Sequence, residues 1–160
     1  ENQSSNLNPH DEIEFDESAE IIINHVLDGI EIAQEHNLPD ELVDFIRTHH
    51  GTTTVQYFYK QFITNFPKEE VDVKAFTYPG PKPYSKETAI LMMADSAEAS
   101  ARSLKNLTSE NIDILIEKVI NKQIKEDQFV NADITLKEIT QLKKLFKKKL
   151  VNIHHARVEY

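Results

Sequence analysis

Cysteine and tryptophan are absent from this chain of 160 residues, and glycine occurs three times. Without cysteine there is neither a disulfide framework nor a thiolate metal site, and a reducing compartment fits. Any bound metal therefore falls to histidine and carboxylate. Three glycines leave little for a turn-dense all-β architecture or for a Gly-rich phosphate loop. No apolar run approaches the roughly 20 residues that span a bilayer. No basic segment followed by an apolar one opens the sequence, so a signal peptide is not expected. Positive charge is scarce at the front: residues 1–50 carry 13 acids and a single base, Arg47. Residues 51–160 carry 14 acids and 17 bases, a net of +3 within an overall −9. That balance excludes polymeric nucleic acid as a partner held through its phosphates.

What is present suits one domain of about two-thirds buried surface. The pattern is all-α. Glu1 to Phe15 is polar, holds Asn8-Pro9, and reads as a loop. Asp16 or Ser18 can cap a first helix to about His36, with Ile22, Ile23, Val26, Leu27, Ile30 and Ala33 at helical spacing. Pro39 restarts the chain, and a second helix places Leu42, Phe45, Ile46 and His49 on one face before Gly51 ends it. A third helix spans about 53–66 and is rich in aromatics. Residues 68–84 form the irregular stretch, with Tyr78-Pro79-Gly80-Pro81-Lys82-Pro83 and a short extended piece at Val71-Asp72-Val73. Ser85 caps a fourth helix to about Leu104, with Ala89, Met92, Met93 and Ala97 inward. Thr108 caps a fifth, striped by Ile112, Leu115, Ile116, Val119, Ile120 and Ile124. Thr135 and Glu138 form a capping box opening a sixth, with Ile139, Leu142, Leu145, Phe146 and Leu150 apolar.

Few residues can carry chemistry. His49-His50-Gly51 puts two imidazoles at a helix C-terminus, where the helix dipole favours cations. Adjacent helical residues diverge by about 100°, so both reach one ion only beyond the helix end. A surface pair is the plainer alternative, and it is the reading for His154-His155. His25 lies between apolar neighbours and can turn inward, as a hydrogen-bonded core histidine or as a ligand. Asp95 sits in an apolar run, where a carboxylate must be paired, with Arg102 as a candidate partner, or metal-bound. Three imidazoles and one carboxylate make a ligand set for Mn, Fe or Zn in a hydrolytic site.

These motifs occur in a distinctive order: Asn8-Pro9-His10-Asp11, Ser18-Ala19-Glu20-Ile21-Ile22, His25-Val26-x-Asp28-Gly29, His49-His50-Gly51-Thr52 and Tyr57-Phe58-Tyr59. Then come Phe76-x-Tyr78-Pro79-Gly80-Pro81-x-Pro83-x-Ser85-Lys86-Glu87 and Ala94-Asp95-Ser96-x-Glu98-Ala99-x-x-Arg102-Ser103-Leu104. The ordered set resembles the cytoplasmic HD domain of the seven-transmembrane HD phosphodiesterases, the PgpH-type cyclic di-AMP hydrolases of bacteria. The similarity runs from residue 1 to at least Leu104.

The resemblance implies an all-α HD domain over 1–160, two divalent transition-metal ions (Fe or Mn), and hydrolysis of cyclic di-AMP to pApA by an activated water. It matches His25, His49, His50 and Asp95 to metal ligands of the family. Its early His and its His-Asp dipeptide lie ahead of Glu1; His10-Asp11 matches a later motif. The chain is therefore expected to be the back part of a larger protein, tethered to a bacterial membrane on its cytoplasmic side and incomplete in its site.

Lys86 and Arg102 become candidates to meet phosphate, and Tyr57, Tyr59 and Tyr78 to stack on adenine. The alternatives are a solvated Lys86, an Arg102 paired with Glu98, and tyrosines that roof the core. Lys137, Lys143, Lys144 and Lys147 to Lys149 make the last helix basic, a solvated face or a contact with anionic lipid. Competing functions are another HD-type nucleotide phosphohydrolase, a non-catalytic nucleotide-binding regulatory domain, and a plain helical interaction domain.

Overall fold

The computed structural model describes residues 15–68, 70–104, 106 and 108–158, with side chains described as far as Ile153. Among these residues it holds six α-helices and one 3-10 turn. The helices are α1 (Phe15–Glu35), α2 (Asp40–Thr48), α3 (Gln56–Asn65), α4 (Lys86–Arg102), α5 (Ser109–Lys125) and α6 (Leu136–Val158), and the turn is Val73–Phe76. Among the described residues, no helix is long and apolar enough to cross a membrane.

The apolar residues gather in two clusters. In the rear one, Ala89, Met93 and Ala97 of α4 pack on Ile112, Ile116 and Ile120 of α5 and on Ile139 of α6. Three small or flexible α4 side chains against three isoleucines let these helices approach closely. In the front one, Ala19 of α1, Phe58 of α3 and Phe76 are buried together, with Phe15, Val55, Tyr59 and Phe62 packed around them. Contacts between α2 and α4 join the halves. The histidines lie at this junction.

The caps explain where the rear helices begin. Ser85 Oγ accepts from the Thr88 N–H, and the Ser85 N–H donates back to Thr88 Oγ1 at 3.1 Å. Thr108 accepts from the Asn111 N–H. Glu138 accepts from both the backbone N–H and the hydroxyl of Thr135, closing the box expected there. Each satisfies helix N–H groups that otherwise lack partners.

The front half departs from expectation in several places. The first helix starts at Phe15, so Asp16 and Ser18 lie inside its first turn rather than capping it; Ser18 is fully buried instead. Leu27 and Leu42 face solvent, and Val43 takes the buried place on α2. The third helix starts three residues late. Residues 53–55 are extended and pair with the irregular stretch: the Val55 N–H donates to the Phe76 carbonyl at 2.7 Å and the Tyr78 N–H to the Thr53 carbonyl at 3.0 Å. The extended pairing therefore falls at Thr77, while Val73 belongs to a 3-10 turn capped by Asp72. Three consecutive threonines followed by valine favour extension over helix. In α6, Leu145 stays half-exposed, and Lys143 and Lys147 fold back onto Glu117 of α5.

Candidate metal centre and its cleft

The helix α2 ends at Thr48, yet His49 keeps helical dihedrals and caps it. His50 follows, and Gly51 then turns the chain with φ +53°. A left-handed residue two places beyond the helix cap ends the helix and turns the chain away, so both imidazoles stand at its C-terminal end. His25 arrives from the middle of α1. The His49 and His50 ring centres lie 4.0 Å apart, and His25 stands 5.0 Å from His50 and 5.3 Å from His49.

The hydrogen bonds around this cluster set the tautomers. His25 Nδ1 bonds the Ile22 carbonyl, and His49 Nδ1 bonds the Ile46 carbonyl at 2.6 Å. A carbonyl only accepts, so each Nδ1 carries the proton and each Nε2 presents a lone pair. Those two Nε2 atoms face one another at 3.2 Å. In the neutral rings both lone pairs point at one another, an approach relieved by a metal ion or a shared proton between them. One ligand atom from each of His25, His49 and His50 lies within 4.8 Å of the others. Anchoring of Nδ1 with Nε2 directed inward is the usual arrangement of metal-binding histidines. The donor set thus fits a divalent transition metal.

His50 is held neutral, its pKa pushed down to about 3 by burial and then by His49 and His25. A neutral imidazole is the form that ligates. Tyr78 lies flat on its ring, 4.2 Å away and tilted by 23°. Burial, and then Asp95, push the Tyr78 hydroxyl pKa up, so it stays protonated.

Asp95 approaches from α4. Its Oδ2 stands 3.8 Å from His50 Nδ1. The carboxylate is half-exposed rather than buried in the apolar run, because α4 turns this position toward an open cleft. Partial burial raises its pKa, Glu98 adds to that, and His49 and His25 oppose it. Asp95 thus sits beside the three-histidine cluster, on its cleft side, without joining it.

The cleft encloses about 430 Å³. His50, Asp95 and Tyr78 line it, with Tyr57 among its other lining residues, Ser96 and Ala99 of α4, Val119, Lys122 and Gln123 of α5, and Glu126, which caps α5. Tyr57 is largely exposed, while Tyr59 turns into the front cluster against Phe76. Lys86 and Arg102 stand apart from the cleft lining. Lys86 Nζ binds Glu138 at 2.7 Å beside a separate apolar groove between α4 and α6. Arg102 grips Glu98 through Nε at 2.7 Å and through a second nitrogen at 2.6 Å. The i,i+4 spacing pointed to the Arg102 pairing, whereas Lys86, expected either at phosphate or in solvent, meets an acid 52 residues away.

Two residues carried no local signal. Gln128 is buried, and its Oε1 accepts from the Thr52 N–H at 2.9 Å, pinning the turn after the histidine pair to the end of α5. Lys122 enters the cleft from the last turn of α5. Each is more than 70 residues from His50 in sequence, so only folding brings them near.

No protein-family model matches the chain. It is 39% identical over 160 residues to the cyclic-di-AMP phosphodiesterase PgpH of Bacillus subtilis (strain 168). It is 38% identical over 161 residues to the protein of that name from Listeria monocytogenes serotype 1/2a (strain 10403S). Both alignments cover the whole chain, which spans 22% of the length of these relatives. The crystal structure of the L. monocytogenes phosphodiesterase PgpH HD domain in complex with cyclic-di-AMP superposes with a TM-score of 0.89 at 36% identity. That match covers 95% of this chain and 70% of that one.

Proposed function

Since the chain belongs to the family of PgpH HD domains, we propose that it is the hydrolytic domain of a metal-dependent phosphodiesterase that cleaves cyclic di-AMP to pApA. The observation that carries this reading is the pair of bare Nε2 atoms of His25 and His49 at 3.2 Å, with His50 and Asp95 between them and the cleft. His25, His49 and His50 would hold one divalent ion, Fe or Mn, and Asp95 would serve a second. A divalent ion, when bound, supplies the Lewis acidity that makes water nucleophilic at neutral pH and offsets phosphate charge.

The chain's own residues do the rest. The Ile22 and Ile46 carbonyls fix the His25 and His49 tautomers and ring directions, so no reorganisation is needed on binding. Tyr78 stacks on His50 and covers one face of its ring, while burial, then His49 and His25, favour the neutral form. Asp95, on the cleft side, is placed to accept a proton or to ligate. Tyr57, exposed beside the cleft, offers a face for an adenine ring. Within this reading these 160 residues are part of the HD domain of a larger protein anchored in a bacterial membrane, with the catalytic face in the cytoplasm.

The test is hydrolysis of cyclic di-AMP by the intact protein with Mn²⁺ or Fe²⁺, with pApA followed by chromatography. His49→Ala and His50→Ala are expected to abolish turnover. Absence of pApA from the wild type, or full activity in both variants, overturns the reading.

A further inference from the structure

The two cations that sequence spacing offers to phosphate are both engaged elsewhere, Lys86 with Glu138 and Arg102 with Glu98. The cleft beside the histidines nonetheless contains one cation among its lining residues, Lys122. Its nearest acid is Glu126, whose Oε1 stands 3.6 Å from Nζ. That distance is an ion pair without a hydrogen bond. Among the described residues no hydrogen bond from Nζ is found, so its three N–H donors are unspent.

The surroundings hold Lys122 where it is. Gln123, next in sequence, is buried and donates from Nε2 to Ser96 Oγ at 2.8 Å and to the Met92 carbonyl at 3.4 Å. The carbonyl accepts only, so the amide orientation is fixed. This tie fastens the last turn of α5 to α4 one turn from Asp95. It presents Lys122 from the α5 wall of the cleft that His50 and Asp95 also line. Val119 and Ala99 supply apolar lining nearby, and among the described residues no second lysine or arginine lines the space.

We infer that Lys122 is the substrate-binding cation of this cleft, hydrogen-bonding a phosphate of the nucleotide ligand other than the one at the histidine cluster. This deepens the cyclic di-AMP reading and rests on it. A cyclic dinucleotide carries two phosphodiesters; when one lies at the histidines, the other needs charge that the acidic front of the chain does not provide. A lysine on a rigid helix end, half-buried and not hydrogen-bonded, supplies it.

The experiment compares two substrates in the intact protein with Mn²⁺: cyclic di-AMP, with two phosphates, and bis(p-nitrophenyl) phosphate, with one. Lys122→Met is expected to raise KM for cyclic di-AMP at least tenfold, with a several-fold smaller effect on the small diester. It should also flatten the dependence of KM on salt. Lys122→Arg should recover KM to within about threefold, which a purely structural role of the alkyl chain would not require. Equal losses on both substrates, or a KM that does not move in Lys122→Met while the wild type is active, overturn the inference alone. A wild type that leaves cyclic di-AMP intact overturns the functional reading and this inference with it.

Discussion

Replacing Gly51 by alanine tests the turn that converges the histidines. Gly51 has φ +53°, where an L-residue costs about 1–2 kcal/mol. A Cβ there would fall on the Gln128 carbonyl oxygen, with Met92 Cε at 3.3 Å and Pro83 Cδ at 3.4 Å. Gln128 has no room to retreat. It is 2% exposed, and its amide also donates to Thr52 Oγ1 at 3.1 Å and to the Glu126 carbonyl at 3.2 Å. Pushing it aside strips the Thr52 N–H of its buried acceptor, worth about 1–3 kcal/mol. Against these stands a gain of about 0.4–1 kcal/mol from the stiffer unfolded chain. The net expected loss is about 2–4 kcal/mol, a fall in Tm of roughly 5–15 °C for a chain of this size. Urea unfolding of the chelated protein measures it, with the m-value held constant as a check. The decisive comparison adds Gln128→Ala. With the amide gone, Gly51→Ala should cost only the backbone share, so the two losses should sum to about 1–2 kcal/mol more than the double variant shows. A loss under about 0.5 kcal/mol, or strict additivity, would refute the steric reasoning.

Other outcomes follow from the same geometry. His25→Ala is expected to weaken Mn²⁺ or Zn²⁺ binding, read by titration calorimetry, by more than the roughly 10–100-fold that losing a ligand's own hydrogen-bond partner costs. Asp95→Asn, outside the three-histidine cluster, should weaken that first ion less. Arg102→Ala should leave thermal stability nearly unchanged, since Arg102 and Glu98 are both about half exposed and solvent screens the pair; a clear drop in the melting temperature would show a role beyond that pair. Lys86, then Thr135, hold the Glu138 carboxyl down to about 2 from an ordinary 4.5. The depressed value means that its stabilisation is fully present above pH 4.5 and drains away as pH falls toward about 2. Lys86→Met should flatten the unfolding curve against pH in that window; an unchanged slope would count against the pairing.

The rear half was legible because its signals are local. Ser85, Thr108 and Thr135 each cap the helix expected of them, and Ile112, Ile116 and Ile120 fall on one face at helical spacing and are all fully buried. The front half was less so. Whether residues 53–55 extend or coil depends on the strand-like partner at 76–78, which lies beyond α3 and the loop after it and has no periodicity. Leu42 and Val43 are both apolar, and only the placement of α1 decides which is buried. His10 lies outside the described residues, as do the side chains of His154 and His155.

The sequence by itself determined that the chain is helical, that any metal falls to histidine and carboxylate, and that His25, His49, His50 and Asp95 are the set to watch. Caps, spacing and the absence of thiols suffice for that, since each acts within a few residues. Tertiary structure alone decided that three imidazoles converge while Asp95 stands beside them at 3.8 Å. It alone drew Lys86 to Glu138 and left Lys122 in the cleft. Which side chains meet across helices depends on packing direction and on a single left-handed turn at Gly51, and neither is encoded in local spacing.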